Sequence, residues 1–133
     1  DSYDLPNLTV FKEQIALFKE ALMMASPTED QAKDIDFLLT VGELFTLVVY
    51  GQLILENAKL QDIPVEVIDQ IFDFMVRDFS KFALEFHNKP SSTEAQMAYA
   101  SKMIRKPAVD HARTGKVWEE HVYSMKGQYQ MND

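Results

Sequence analysis

The chain has 133 residues, which fits one domain of ordinary size with a single hydrophobic core. It is 47% hydrophobic and 26% charged, a normal soluble composition, and its formal charge of −8 argues against a general nucleic-acid binder, which needs lysine and arginine to face phosphates. Cysteine is absent, which excludes disulfides and thiolate metal sites and is compatible with a reducing compartment. We therefore expect a cytoplasmic protein.

The amino-terminal end opens with DSYD, without an initiator methionine, a basic region or an apolar signal core. We expect processing, or the design of the expressed chain, to account for that end. Charge is divided unevenly, since residues 1–100 hold seven Lys/Arg against seventeen Asp/Glu and residues 101–133 hold six against four. The two ends are therefore expected to present different faces to a partner.

Helix signals recur along the chain, and strand signals are almost missing. Asn7 is a candidate N-cap for a first helix, whose apolar residues recur at roughly helical spacing as far as about Ala25. Residues 26–29 (SPTE) have the form of a capping box with proline at the first helical position, where its missing N–H costs nothing. A second helix is predicted from Pro27 to about Lys59.

Residues 37–55 within that second helix are almost entirely apolar, with Glu43 and Gln52 as the only strongly polar members. Such a helix is either the central member of a soluble bundle or a membrane span. The acidic residues Asp34 and Asp36 precede it, and Glu43 would cost about 2.5 kcal/mol or more in hydrocarbon. We interpret the segment as a core helix hidden on nearly every side, with no transmembrane span.

A third, amphipathic helix is predicted after Pro64, because apolar residues then lie three or four apart as far as Phe86. The opposite stripe is charged, and its spacing of four lets Asp73 pair with Arg77. This stripe is expected to face solvent.

The last part of the chain predicts one or two further helices. Ser91 and Glu94 have capping-box spacing and start a shorter helix that runs to about Ile104. A final helix is predicted over 110–126. The connections look short, which favours antiparallel neighbours. We therefore predict an all-α fold, an up-and-down helical bundle of four to five helices.

We read residues 1–133 as a single helical domain without repeats or linkers. In the predicted bundle the 37–55 helix forms the core, and helices at 8–25, 64–87 and 110–126 each bury one face against it. Strong caps and clear periodicity lead us to expect that the domain folds alone.

Glu43 is the residue with the clearest chemical potential, because a buried carboxylate with a raised pKa can act as a general base. The competing interpretation is a structural carboxylate that hydrogen-bonds Thr46, a tyrosine or an arginine, and this is favoured, since no second catalytic group lies near in the pattern. The histidines His87, His111 and His121 lack the Glu-x-x-His spacing of dimetal bundles. No catalytic, cofactor-binding or metal-ligating residue is assigned.

Positive charge gathers over residues 102–116, which contain one acidic residue, Asp110. The members are Lys102, Arg105, Lys106, His111, Arg113 and Lys116. An anion or a phosphate-bearing ligand could dock there. The favoured interpretation is a segment that keeps its charges in water or pairs them with acidic neighbours in the same fold.

Three runs of sequence carry a resemblance that spacing alone does not supply. They are VGELFTLVVYGQLILENA, MVRDFSKFALEFHNKPSST and SSTEAQMAYASKMIRKPAVDHARTGKVWEEHVYSMKGQYQM. Together with the rest of the chain they resemble the extreme C-terminal region of a large bacterial type of acyl-CoA dehydrogenase. Those enzymes are flavoproteins, and the large types append a further helical domain after the shared C-terminal four-helix bundle.

The resemblance implies a non-catalytic accessory domain of an FAD-dependent acyl-CoA dehydrogenase, placed at the C-terminal end of a longer enzyme. The family's catalytic glutamate and its FAD and acyl-CoA sites lie in the shared core, so FAD belongs to the parent enzyme, with no cofactor in this fragment. The implied partners are the rest of the parent enzyme and a second subunit, with peripheral membrane contact as a further option. The alternative is a free-standing acidic helical-bundle interaction protein.

Overall fold

The computed structural model describes residues 3–108, 117, 119 and 120. Within that part the chain is all helical and contains no strand, which confirms the predicted fold class. Its four α-helices are α1 (Pro6–Met24), α2 (Ile35–Gln61), α3 (Val65–His87) and α4 (Glu94–Met103). The helix predicted over 110–126 lies outside the described residues apart from the three positions named above.

The start of α2 differs from the prediction, since the helix begins at Ile35 and not at Pro27. The side chain of Asp34 accepts a hydrogen bond from the backbone N–H of Phe37 at 3.3 Å and caps the helix. A short 3-10 turn over Gln31–Lys33 occupies the preceding segment. Because aspartate is a strong N-cap and lies directly before the apolar run, it defines the start of the helix.

The α1 cap is also different from the prediction. Leu5 occupies the N-cap position and Pro6 is the first helical residue, so Asn7 lies inside α1. There Asn7 is buried, and its backbone N–H donates to Asp69 Oδ1 at 3.1 Å. The asparagine therefore joins two helices and does not cap one.

The remaining helix ends lie close to the predicted ones. α3 begins directly after Pro64, and Arg77 Nε donates to Asp73 Oδ1 at 2.7 Å, which confirms the pair predicted on its charged stripe. The expectation that the whole stripe faces solvent is wrong, because Asp69 and Asp73 are buried against the rest of the bundle. α4 has a capping box, but its members are Thr93 and Gln96 and not Ser91 and Glu94. The box therefore lies two residues further along the chain than predicted.

Pairs of contacting side chains give the direction of each helix. Asn7 contacts Asp69 and Gln14 contacts Val76, so α1 and α3 run parallel. Phe37, near the start of α2, packs against Phe86, near the end of α3, with ring centroids 5.5 Å apart and the ring planes tilted by 51°. Likewise, Gln96 near the start of α4 donates to the carbonyl oxygen of Ala25 directly after α1, and Gln14 within α1 donates to the carbonyl oxygen of Met103 at the end of α4. Successive helices therefore alternate in direction, as an up-and-down bundle requires.

The centre of the core lies between α1 and α3. Phe11 packs against Phe72 and Phe79 with ring centroids 5.4 and 5.8 Å apart, and Phe18 packs against Phe79 at 6.1 Å. α4 covers one side of this pair, and α2 lies mainly against α3. The prediction that the 37–55 helix forms the core, with the others packed around it, is therefore wrong.

Candidate interaction surface on α2

Although α2 is the most apolar helix of the described part, it is incompletely buried. Its inner face, with Phe37, Leu44 and Leu47, packs on the rest of the bundle. However, only 28% of its most apolar eighteen-residue stretch is buried. By length and composition α2 also qualifies as a helix that could cross a membrane. The expectation that this segment is hidden on nearly every side does not hold within the described chain.

The exposed side of α2 is itself apolar, and we call it the outer face. Its large apolar side chains are between 42% and 83% exposed. They are Ile35, Leu38, Leu39, Phe45, Val49, Tyr50, Leu53 and Leu60. At 100° per residue they fall within an arc of roughly 140°, so they form one stripe, which only Glu56 interrupts, between Leu53 and Leu60. Sequence hydrophobicity marked these residues as apolar, but it could not tell which of them face outward.

Two aromatic contacts hold α2 against α1 beside this stripe. Phe45 meets Phe18 edge to face at 5.1 Å, and it remains half exposed. Gly51 lies so close to Phe11 that a Cβ at this position would come 2.6 Å from the ring. A glycine at residue 51 is therefore needed for the close approach of α2 to α1.

A groove of about 440 Å³ opens between α1 and α2 next to these contacts. Its floor includes Phe11, Ile15 and Val48, and Lys19 and Glu56 lie among its polar lining residues. Val49 and Leu53 line the groove and also belong to the outer face. The apolar surface is thus continuous from α1 across α2.

The middle of the outer face is formed by small residues and lies below the large side chains on either side. Gly42 is exposed, and a Cβ added there would meet no atom within 4 Å. One turn on, the hydroxyl of Thr46 donates to the carbonyl oxygen of Gly42 at 2.9 Å and so turns its polar atom back to the helix. Ile35, Leu38 and Leu39 surround a shallow depression at this point. Small residues therefore leave room for another backbone to approach α2 closely.

Charge is sparse over most of the outer face. From Ile35 to Leu55 the charged residues are Asp36 and Glu43, and the exposed Glu56 lies within the arc of the face between Leu53 and Leu60. Lys89 Nζ lies 2.7 Å from Asp36 Oδ2, an ion pair that links the start of α2 to the residues after α3. The hydrogen bond that Lys89 donates to Asp36 raises the pKa of Lys89 above its ordinary value of 10.5.

Glu43 is not the buried carboxylate that the sequence suggested. It is exposed at the edge of the outer face, and Thr46 bonds the backbone of Gly42 and not the carboxylate. Burial was the reason to consider Glu43 as a general base, so that interpretation is wrong. Its place beside the stripe makes it a boundary residue of the surface.

The histidines are the other candidates for chemistry that the sequence offers. His87 Nδ1 lies 2.9 Å from Asn88 Oδ1, and the other two histidines lie outside the described residues. Among the residues that the structure describes, no group of three or more His, Cys, Asp or Glu side chains could hold a metal ion. No line of chemistry from the sequence converges on a catalytic centre in this part of the chain.

The described part of the basic segment pairs within the fold. Arg105 Nη1 donates to Glu13 Oε2 at 2.6 Å, and Lys102 Nζ lies 5.8 Å from the centre of the Tyr99 ring. Arg105 thus pairs with an acidic neighbour, and Lys102 and Lys106 are exposed, in agreement with the favoured interpretation that these charges stay in water or pair within the fold. His111, Arg113 and Lys116 lie outside the described residues.

Three comparisons with known proteins bear on the identity of the chain. No protein-family model matches it, and neither a curated protein nor a solved structure does. The resemblance to acyl-CoA dehydrogenases therefore rests on the three sequence runs alone and stays a prediction. The exposed, apolar outer face of α2 is the structural feature on which the functional proposal rests.

Proposed function

We propose that this chain is a non-catalytic helical accessory domain that acts in assembly, and that the outer face of α2 is the surface that it buries against another protein. The observation that carries the proposal is the stripe of eight exposed apolar side chains on one side of one helix. The sequence resemblance supports the further proposal that the parent protein is an FAD-dependent acyl-CoA dehydrogenase.

The size of the stripe supports an assembly role. Eight such side chains, each about half exposed or more, present roughly 800 Å² of apolar surface. The largest apolar patch of a typical soluble monomer is about 300–600 Å². Each partner in a standard protein interface contributes about 800 Å². Covering this stripe removes its apolar surface from water, which stabilises the assembly.

The remaining parts of the proposal follow from the same reasoning. FAD and the catalytic glutamate belong to the parent enzyme, and this chain contributes neither a cofactor site nor a catalytic residue. The partners are the rest of the parent dehydrogenase and a second subunit in the cytoplasm. The charge of −8 disfavours nucleic acid and anionic membrane surfaces. We propose that α2 does not span a membrane, because its inner face packs against α3.

A free-standing interaction protein would use the same outer face, and the two functions differ in the gene. We expect the native reading frame upstream of the codon for Asp1 to continue into a flavin-binding dehydrogenase core. A start codon directly upstream would contradict the dehydrogenase part and leave a free-standing partner-binding protein.

The assembly part is tested in that longer protein. Leu39→Glu places a charge in the middle of the outer face at a side chain that is 60% exposed. We expect it to change the assembly state in size-exclusion chromatography with light scattering, while flavin content and helical circular dichroism stay at the level of the unchanged protein. Met23→Glu, at a 79% exposed residue of α1, is the matched control and should leave assembly unchanged. An unchanged assembly in Leu39→Glu would contradict the proposal.

A further inference from the structure

We infer that the occupant of the outer face is a second copy of this chain, with the α2 helices of the two copies packed antiparallel and crossing at Gly42 and Thr46. The inference rests on the proposed function and names its partner. It starts from the spacing of the outer face. Ile35, Gly42 and Val49 lie seven residues apart, and so do Leu39, Thr46 and Leu53.

Along α2 the two series alternate at steps of four and three residues. This spacing is typical of the apolar seam of a helix that packs along another helix. The partner is therefore a helix with the same repeat, and α2 itself presents one. A two-fold interface uses the same patch on both copies, and Leu60 lies beyond the paired stretch. Two patches of roughly 700 Å² each then give about 1,400 Å², within the range of about 1,200–2,000 Å² that stable interfaces bury.

An antiparallel pair fits this seam residue by residue. When Gly42 of one copy lies level with Thr46 of the other, Leu39 lies level with Val49 and Ile35 with Leu53. The smallest residues then meet at the crossing point, where a Cβ on Gly42 has open space within the monomer. Larger apolar residues meet on both sides of it. Glu56 lies beyond the last of these layers, and so it stays in water.

The charge of the chain gives the self-association a recognisable salt dependence. Each copy carries −8, and the seam contains no opposite charge that would offset the repulsion between two copies. Salt screens that repulsion and strengthens the hydrophobic contact, so the dimer should become tighter as salt rises. A complex held by a basic partner would become weaker in the same titration.

Sedimentation equilibrium of the 133-residue chain tests the inference. We expect a monomer–dimer equilibrium with a dissociation constant on the order of 10 μM or below, the weak end for interfaces of this area. Leu39→Lys and Val49→Glu should each weaken the dimer by roughly 10- to 100-fold, because the two-fold axis introduces each change twice. Met23→Lys should not change the constant.

Mixing the two variants tests the antiparallel arrangement. In the heterodimer the introduced lysine and the introduced glutamate would face each other in one layer, while the other layer keeps its original leucine and valine. The 1:1 mixture of the Leu39→Lys and Val49→Glu chains should therefore dimerise more tightly than either variant alone. A parallel pair places each charge against an apolar residue and gives no rescue, so absence of rescue overturns the antiparallel pairing.

Circular dichroism and thermal melting of every variant show whether the fold is kept. The further variant Gly42→Ala stabilises the helix of the monomer. It should weaken the dimer several-fold while it raises the melting temperature of the dilute monomer. A wild-type chain that stays monomeric at about 100 μM overturns the inference. So does flotation of the chain with phosphatidylcholine vesicles that Leu39→Lys abolishes, since a lipid surface would then be the occupant.

The two proposals fail in different experiments. A monomeric chain whose Leu39→Glu variant still disrupts the longer protein contradicts the second copy and leaves the assembly role. If the chain dimerises but its native reading frame has no dehydrogenase upstream, the second copy is supported and the acyl-CoA dehydrogenase part is contradicted.

Discussion

The region where α1, α3 and α4 meet and the outer face of α2 differ in how deeply their side chains are buried. In the first region Gln14 is fully buried, and its Nε2 reaches three acceptors at 2.9–3.3 Å, the carbonyl oxygens of Val76 and Met103 and the hydroxyl of Ser80, while its Oε1 accepts no hydrogen bond from the described residues. On the second, half-exposed leucines and aromatics have no such cover. The three helices with the smaller apolar content therefore bury their side chains most deeply, and the most apolar helix leaves one side exposed.

The largest expected difference between the two regions is at their phenylalanines. Phe79 is fully buried against Phe11 and Phe18, so Phe79→Ala should lower the free energy of unfolding by about 3–5 kcal/mol. Phe45 is half exposed, and Phe45→Ala should cost about 1 kcal/mol in dilute monomer. Urea unfolding of both variants measures the two values. Equal losses would mean that the outer face is as well packed as the core.

A smaller effect is expected at two glutamines. Gln96 Nε2 donates to Gln31 Oε1 and to the carbonyl oxygen of Ala25, both within 3.2 Å. Gln96→Glu removes both donors and places a carboxylate against two acceptors, which should cost about 2–4 kcal/mol. Gln52→Glu on exposed α2 should cost about 0.5 kcal/mol or less. Chemical denaturation at pH 7 compares them, and partial recovery of the first variant at acidic pH would confirm the carboxylate as the cause.

The two glycines of α2 should respond with opposite signs. Gly51→Ala meets the ring of Phe11 at 2.6 Å and should destabilise the fold by about 1–3 kcal/mol. Gly42→Ala meets nothing and should stabilise the dilute monomer by about 0.5–1 kcal/mol through helix propensity. Thermal melts of both variants decide the matter. The same sign at both positions would show that the inner and outer faces of α2 are not distinct.

The smallest effect is expected in alkali. The pKa of Lys89 is raised by its hydrogen bond to Asp36, and burial and the neighbouring Glu20 raise the pKa of Tyr99 above 10.0. A raised folded pKa gives stability that is present at lower pH and is lost as the pH rises through it. Melting temperature should therefore stay level to about pH 9.5 and fall above it. Lys89→Met should remove part of that fall, and a fall that begins well below this pH would contradict this origin.

Several elements of the fold could be predicted from the sequence, because their cause is local. The three- and four-residue spacing of apolar positions in α3 placed that helix within a residue of its observed ends. Capping boxes were predicted two residues early in both places. Thr28 with Gln31, and Thr93 with Gln96, form the reciprocal bonds that were expected from Ser26 with Glu29 and Ser91 with Glu94.

The reason for that shift is tertiary. A glutamine in the capping box can accept from the backbone and still donate, and Gln31 and Gln96 use this to pair with each other through two bonds of 2.8 Å. Two glutamates in their place would repel. No local rule shows which two boxes will meet in space, so the local pattern could not select them.

The candidate surface could not be predicted for a related reason. Residues 37–55 are apolar all round, so periodicity gives no direction for the inner face. The orientation of α2 follows from the positions of Phe86 in α3 and Phe18 in α1, which contact Phe37 and Phe45. The expected burial of Glu43 failed with the same assumption.

We propose that another protein covers the outer face of α2. Hydroxyl-radical footprinting of the native protein measures this directly, because it labels side chains that water can reach. Phe45 and Tyr50 report on that face, Met23 and Met24 are exposed controls on α1, and Phe79 is a buried control. We expect labelling of Phe45 and Tyr50 to fall towards the level of Phe79 in the native assembly, while the methionines stay strongly labelled. Labelling of Phe45 and Tyr50 at the level expected for half-exposed aromatic rings would contradict it.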